Sequence, residues 1–250
     1  MSELKNSAAQ IPPTFSQRLR ANSVHVYTAS GVVFAFAAAM EICSAAPDPR
    51  KVFGLLFAAV LVDATDGTLA RRWHVKVWAA AIDGRTIDDI VDYLTYTFLP
   101  LLLMWRMNWL EGSVAVWVIA VALIASLFGF SNRAAKDESG GFFLGFPSYW
   151  NVVAFYGGLW RIPEGGLINT AVVLALAILT VLPVRFLYPN LAPRPWRTPI
   201  LAGAALWVVA LVAILWLYPH PPLWLVGVSL LYPLFYGAVS IAIDRRGSRG

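Results

Sequence analysis

The residues best suited to chemistry are six of the chain's fourteen acidic side chains, which lie between Val62 and Tyr93. Residues three or four apart share one face of an α-helix. Asp63 and Asp66 therefore share a face of one predicted helix, and Asp88 and Asp92 share a face of the next. A short connection would make the two helices antiparallel neighbours, so we expect all four carboxylates to converge between them.

The negative charge of four carboxylates near a membrane must be neutralised, because a charged side chain at mid-bilayer costs roughly 2.5–3.5 kcal/mol on insertion scales. Protonation is one way to neutralise it. Hard divalent cations such as Mg²⁺, Mn²⁺ or Ca²⁺ are a better one, since they prefer oxygen ligands. Two such ions form a clamp for phosphoryl displacement. A cation or proton pathway stays open as an alternative. Asp83 and Asp89 lie off the main stripe and are equally well explained as solvated residues.

The elements that carry these residues are membrane helices. The chain is 59% hydrophobic and 13% charged, whereas soluble domains carry about 25% charged residues. We predict an all-α, polytopic transmembrane bundle forming a single domain over 1–250, with a cytoplasmic or interfacial segment at 1–23 that contains a short helix. The bundle covers 24–243 in about eight spans: 24–46, 52–72, 78–105, 113–132, 147–161, 167–188, 199–218 and 222–243.

The Lys and Arg residues indicate the orientation. With eight spans both termini share a side, and the opposite side keeps only Arg50, Lys51, Arg106 and Arg161 of the chain's 19 basic residues. The positive-inside rule then places both termini and the acidic cluster at the cytoplasmic face.

The acidic motif has a family resemblance. Asp63-x-x-Asp66-Gly67-x-x-Ala70-Arg71, followed by Gly84-x-x-x-Asp88-x-x-x-Asp92, resembles the signature of the CDP-alcohol phosphatidyltransferases. The gap between Arg71 and Gly84 is longer than is usual in that family. This gap and the eight spans look like the bacterial phosphatidylcholine synthase branch. The segments 25–31 and 145–151 are also similar to that branch.

The resemblance implies transfer of the phosphatidyl group of CDP-diacylglycerol to choline, with CMP released. It implies a multi-pass protein of the bacterial inner membrane with a cytoplasmic active site, and it favours a homodimer. Two divalent ions, Mg²⁺ or Mn²⁺, would be held by Asp63, Asp66, Asp88 and Asp92, and Asp92 would be the general base. Residues implied near the nucleotide and the CDP-lipid are Gly67, Ala70, Arg71, Gly84, His25 and Thr28.

Two further groups of residues are candidates from their chemistry and their predicted side of the membrane. Arg133 and Lys136 end the fourth span and could receive a lipid phosphate, or act only as inside-positive anchors. Choline carries a quaternary ammonium, which aromatic faces recognise. We therefore expect Tyr96, Tyr149 and Trp150 to form a choline cage, the alternative being that they are interfacial belt aromatics.

Two other functions stay open. One is transfer of a phosphatidyl group to serine, inositol phosphate or glycerol phosphate. An anionic acceptor would need a pocket rich in Arg and Lys, whereas the acceptor side here is richer in Tyr and Trp. The other is cation transport, although the acids cluster at one face and do not continue across the bilayer.

Overall fold

The computed structural model describes residues 13–132, 136–137, 141–159 and 165–247. Within them helices dominate, with one small sheet. The α-helices are α1 Phe15–Ala29, α2 Gly31–Ile42, α3 Pro49–Arg72, α4 Val75–Trp78, α5 Gly84–Asp92, α6 Leu99–Arg106, α7 Ala115–Ser131, α8 Trp150–Gly157, α9 Gly165–Val181, α10 Arg194–Leu217 and α11 Leu223–Gly247. A π-helix covers Tyr93–Phe98, a 3₁₀ turn covers Pro189–Leu191, and the strands are β1 Lys136–Asp137, β2 Phe142–Leu144 and β3 Arg185–Leu187.

The first span begins earlier than predicted. Thr14 and Gln17 form a reciprocal capping box that starts α1 at Phe15, because each side chain satisfies a backbone N–H that the helix leaves open. The helix passes position 24 without a break, and only a bend at Ser30 separates it from α2. Phe15–Ile42 is thus one apolar helical stretch long enough to cross a membrane.

The structure is that of an all-α membrane protein. Four helical stretches in the described residues are long and apolar enough to cross a bilayer: Phe15–Ile42, Pro49–Arg72, Arg194–Leu217 and Leu223–Asp244. Ala115–Ser131 and Gly166–Val181 are apolar but shorter. The predicted fifth span contains α8, whose eight residues cover only about 12 Å at 1.5 Å per residue. The predicted count of eight full spans therefore stays a prediction.

The predicted third span, 78–105, differs in two ways. Its helix begins at Gly84, because Val75–Trp78 is a separate short helix and Asp83 caps the start of α5 by accepting the N–H groups of Arg85 and Thr86. The helix then widens into the π-helix before α6. A π-segment inserts one extra residue and occurs often at functional sites; this one directly follows Asp92 and contains Tyr96.

The small antiparallel sheet was not predicted. Its order is β1-β2-β3, with Phe143 opposite Phe186. The sixth predicted span, 167–188, is therefore wrong at its end: α9 stops at Val181, and residues 185–187 form β3. Leu187 of β3 packs with Ile200 of α10 and Val239 of α11 in a small core of its own. The sheet thus ties the chain after α7 and the chain after α9 to the same end of the bundle.

Candidate active site

Three of the four predicted carboxylates converge. Oxygens of Asp63 on α3 and of Asp88 and Asp92 on α5 lie within 4.8 Å of one another, and all three side chains are half-buried. The spacing of four residues puts Asp88 and Asp92 on one helical face. Like charges this close favour a bound cation, and carboxylates are the ligands that Mg²⁺, Mn²⁺ and Ca²⁺ prefer. The donor set therefore fits a divalent ion.

Asp66 lies apart from this group. It is only 8% exposed, and its Oδ2 accepts a hydrogen bond of 2.7 Å from the Thr28 hydroxyl on α1. The group of converging carboxylates in the described residues is Asp63, Asp88 and Asp92, and a place for Asp66 beside them stays a prediction. The spacing in sequence gave the shared helical face correctly, but the hydroxyl that holds Asp66 comes from another helix.

Tyr96 and Tyr149 meet at the edge of the acidic group. The Tyr96 hydroxyl donates to Asp63 Oδ2 at 2.8 Å, and the two tyrosine rings lie 5.8 Å apart between centroids. Asp63 and Asp92 are the charged groups that act on Tyr149 most strongly, and Tyr149 is 45% exposed. Crowded surroundings combined with an open surface are what we expect of a side chain on the wall of a recess.

Trp150 has a different environment from its neighbour. Its side chain is fully buried, packs against Phe146 and donates its indole N–H to the Ser126 hydroxyl on α7 at 2.7 Å. It presents no exposed ring face to a ligand, so the structure differs from the cage prediction at this residue. Its burial leaves Tyr96 and Tyr149 as the aromatic candidates.

Gly84 and His25 pack directly against each other. A Cβ atom at Gly84 would lie 2.8 Å from Cε1 and 2.9 Å from Nδ1 of the His25 ring. His25 is buried, with Nε2 3.4 Å from the Ala79 carbonyl oxygen. In this structure, then, Gly84 admits the α1 side chain against the start of α5. A role for either residue toward a nucleotide stays a prediction.

The remaining motif residues lie near the end of α3. Gly67 is half-buried, with the Arg71 side chain the nearest neighbour of a Cβ placed there. Ala70 packs against the small core formed by α1 and α4. Arg71 is exposed, and its guanidinium donates to the Thr68 hydroxyl. An exposed guanidinium on the helix that carries Asp63 remains suitable for a phosphate.

The two basic candidates, Arg133 and Lys136, follow α7 in the chain. Arg133 lies outside the described residues, and only the backbone of Lys136, in β1, is described. Their predicted contact with a lipid phosphate stays a prediction.

Sequence reasoning missed tyrosines from the last third of the chain. After Asp63 and Asp92, the phenols of Tyr188 and Tyr232 also belong to the electrostatic surroundings of Tyr149. Tyr188 follows β3, and Tyr232 lies on α11, where its hydroxyl donates to the Ile200 carbonyl oxygen. Tyr188 ends the predicted sixth span and Tyr232 lies in the middle of the predicted eighth, so no shared position in the sequence pointed to the two residues.

Known proteins supply the identity of the family. A scan against protein-family models found no match. The chain is 38% identical over 172 residues to phosphatidylcholine synthase of Pseudomonas aeruginosa, an alignment covering 69% of this chain and 70% of that protein. It is 34% identical to phosphatidylcholine synthase of Rhizobium meliloti, with 84% and 85% covered, and 32% identical to that of Brucella melitensis, with 88% and 79% covered. At these identities and coverages, the chain belongs to the phosphatidylcholine synthase family.

Proposed function

We propose that this chain transfers the phosphatidyl group of CDP-diacylglycerol to choline, giving phosphatidylcholine and CMP, as a member of the wider CDP-alcohol phosphatidyltransferase family. The observation that carries the proposal is the convergence of Asp63, Asp88 and Asp92 beside the Tyr96–Tyr149 pair. Anionic oxygens there suit a metal-bound pyrophosphate, and aromatic faces suit a quaternary ammonium. The relatives named phosphatidylcholine synthase support the same reaction.

In the proposed reaction the choline oxygen attacks the phosphorus that carries diacylglycerol. The new O–P bond forms as the bond from that phosphorus to the CMP oxygen breaks, and CMP leaves. Divalent ions, Mg²⁺ or Mn²⁺, held by Asp63, Asp88 and Asp92 would neutralise the pyrophosphate charge. Asp66, oriented by its hydrogen bond from the Thr28 hydroxyl, would supply a further ligand oxygen.

The chain's own side chains would do the rest. Asp92 accepts the proton of the choline hydroxyl, as a carboxylate beside the reacting oxygen can. Tyr96 fixes the orientation of Asp63 through its hydrogen bond of 2.8 Å, in the manner of groups that support metal ligands from behind. Tyr149 offers its exposed ring to the choline cation. Arg71 is the candidate for a phosphate oxygen.

We also propose a bacterial inner-membrane location with the site at the cytoplasmic end. The pairing of β2 with β3 supports a common side for the segments after α7 and α9. Arg106, which donates to the Ser44 carbonyl oxygen, and the Lys51–Glu41 pair support a common opposite side. The exposed Cys43 lies in that region, so a membrane-impermeant thiol reagent should label it from outside intact spheroplasts. Labelling only after lysis would refute this orientation. A homodimer stays a prediction.

The test of the reaction is an acceptor screen. Purified protein in detergent receives CDP-diacylglycerol and Mn²⁺ with choline, serine, inositol phosphate or glycerol phosphate, and CMP release is measured. We expect release with choline, and its loss in Asp92→Asn. Asp89→Asn is the matched control, because Asp89 pairs with Arg85 outside the converging group. Metal-dependent release with another acceptor alone would refute the choline assignment. No release with any acceptor would favour transport.

A further inference from the structure

Tyr149 belongs to an arm, residues 145–150, that is fastened at both ends. At its start Gly145 donates its N–H to the Val184 carbonyl oxygen at 2.8 Å, and Phe146 donates to that of Leu179 at 3.1 Å. Gly145 has φ +80°, and a Cβ there would lie 2.2 Å from the Thr180 carbonyl oxygen. Glycine is thus the residue that lets this arm lie directly on the end of α9.

The other end of the arm is fastened to one hydroxyl group. Ser126 Oγ on α7 accepts the indole N–H of Trp150 at 2.7 Å and lies 3.0 Å from Ser148 Oγ. All three side chains are buried, and Ser148 holds φ +57°, which is uncommon for a residue other than glycine. Buried donors are costly to leave unpaired, so this one oxygen stabilises the residues on both sides of Tyr149.

Tyr149 is the exposed exception between these two buried neighbours. Its ring is 45% exposed and lies 5.8 Å from the Tyr96 ring, which is hydrogen-bonded to Asp63. Nothing in the packing of Ser148 and Trp150 requires an exposed aromatic residue between them. The buried residues on either side thus hold the Tyr149 side chain in one position, and such preorganisation of a contact residue increases ligand affinity.

We propose that Ser126 is a positioning residue, whose hydroxyl holds Tyr149 at the acidic site and so sets the affinity for the quaternary ammonium of the acceptor. This inference rests on the proposed function for its substrate, but the placement of Tyr149 is a separate claim. Ser126 itself touches neither the acceptor nor the converging carboxylates; it acts through Ser148 and Trp150.

The first arm of the test is kinetic. Ser126→Ala should raise the choline KM about tenfold, equivalent to ~1.4 kcal/mol and within the range of a partly desolvated cation–π contact. The kcat and the KM for CDP-diacylglycerol should stay within about twofold. Trp150→Phe, which removes the indole donor but keeps an aromatic ring, is the substitute test if Ser126→Ala does not fold. It should also raise the choline KM.

The matched control is Ser229→Ala. Ser229 is equally buried and accepts a hydrogen bond of 2.8 Å from Tyr156, but it lies on α11 outside the arm. It should lower thermal stability without moving the choline KM. An unchanged choline KM in Ser126→Ala, or equal shifts in both serine variants, would overturn the proposal.

The second arm does not depend on turnover. With 3-fluorotyrosine at position 149, the ¹⁹F spectrum should show one sharp resonance in the parent protein. Ser126→Ala should broaden or split it, and Ser229→Ala should leave it unchanged. A sharp, unshifted line in Ser126→Ala would refute the positioning role. If the parent protein uses an acceptor other than choline, the proposed function fails, and the fluorine spectrum still decides whether Ser126 holds Tyr149.

Discussion

Gly84→Ala tests the packing that brings α1 against the helix carrying Asp88 and Asp92. The new Cβ would lie 2.8 Å from His25 Cε1, whereas ordinary contacts begin at 3.4 Å, so the ring or the helix must move by about half an ångström. The His25 ring is buried and near the Ala79 carbonyl oxygen, so its freedom to move is small.

The magnitude follows from two opposing effects. Overpacking of this kind costs roughly 1–3 kcal/mol, while alanine improves helix propensity by up to about 1 kcal/mol over glycine. The steric effect is larger, so we expect a net loss of about 1–2 kcal/mol in the free energy of unfolding. For a chain of this length that is a fall of roughly 2–8 °C in melting temperature.

The assay is thermal unfolding in detergent together with CMP release. Gly54→Ala in α3 is the control, since within the described residues no atom beyond its chain neighbours and its own helix backbone lies within 4 Å of a Cβ placed there, and it should not lower the melting temperature. In a His25→Ala background Gly84→Ala should cost less melting temperature than it does in the parent protein, because the obstructing ring is gone. A Gly84→Ala protein that melts at or above the parent temperature would refute this reasoning. A KM for CDP-diacylglycerol that is higher in the double variant than in His25→Ala alone would instead support a nucleotide role for Gly84.

Three further predictions concern hydrogen bonds accepted by individual aspartates. Thr28→Val removes the donor to Asp66 and should raise the Mn²⁺ concentration for half-maximal activity about tenfold. Thr28→Ser keeps the hydroxyl and should leave that concentration unchanged. The same half-maximal Mn²⁺ concentration in Thr28→Val and in the parent protein would contradict this prediction. Tyr96→Phe removes the hydroxyl that orients Asp63 but keeps the ring, so kcat should fall about tenfold with little change in choline KM. A change in choline KM with kcat unchanged would mean that the hydroxyl acts in choline binding and not through Asp63. The Thr86 side chain, followed by backbone N–H groups, lowers the pKa of Asp83 below 3.8. Its contribution to stability is therefore present above pH 3.8 and lost as pH falls through the lower folded-state pKa. The gap in melting temperature between the parent protein and Asp83→Ala should accordingly close on acidification below pH 4, and a gap that persists to pH 2 would argue against it.

Local periodicity predicted much of the architecture. Long apolar runs indicated membrane helices, and the four-residue spacing placed Asp88 and Asp92 on one face, as the structure has them. Strands of two and three residues leave no alternating pattern, so the sheet of residues 136–187 and the early end of α9 were not predictable. The break before Gly84 depends on a cap at Asp83 inside a sequence that otherwise looked like a continuing span.

Adjacent residues show where sequence reasoning stops. Tyr149 and Trp150 are both aromatic and neighbours in the chain, yet one opens toward the acidic group and the other is buried on Ser126. The left-handed conformation of Ser148 turns the chain directly before them, and no composition or spacing rule predicts it.

By itself the sequence determined the membrane class, the carboxylate motif and the family resemblance, because each depends on residue types at short separations. Tertiary structure alone decided that Asp63 joins Asp88 and Asp92 while Asp66 is held by Thr28. It also decided that Tyr149 is open and Trp150 is buried. Those outcomes depend on hydroxyl groups of α1 and α7, far away in the chain, and a hydrogen bond between distant helices exists only once the helices have packed.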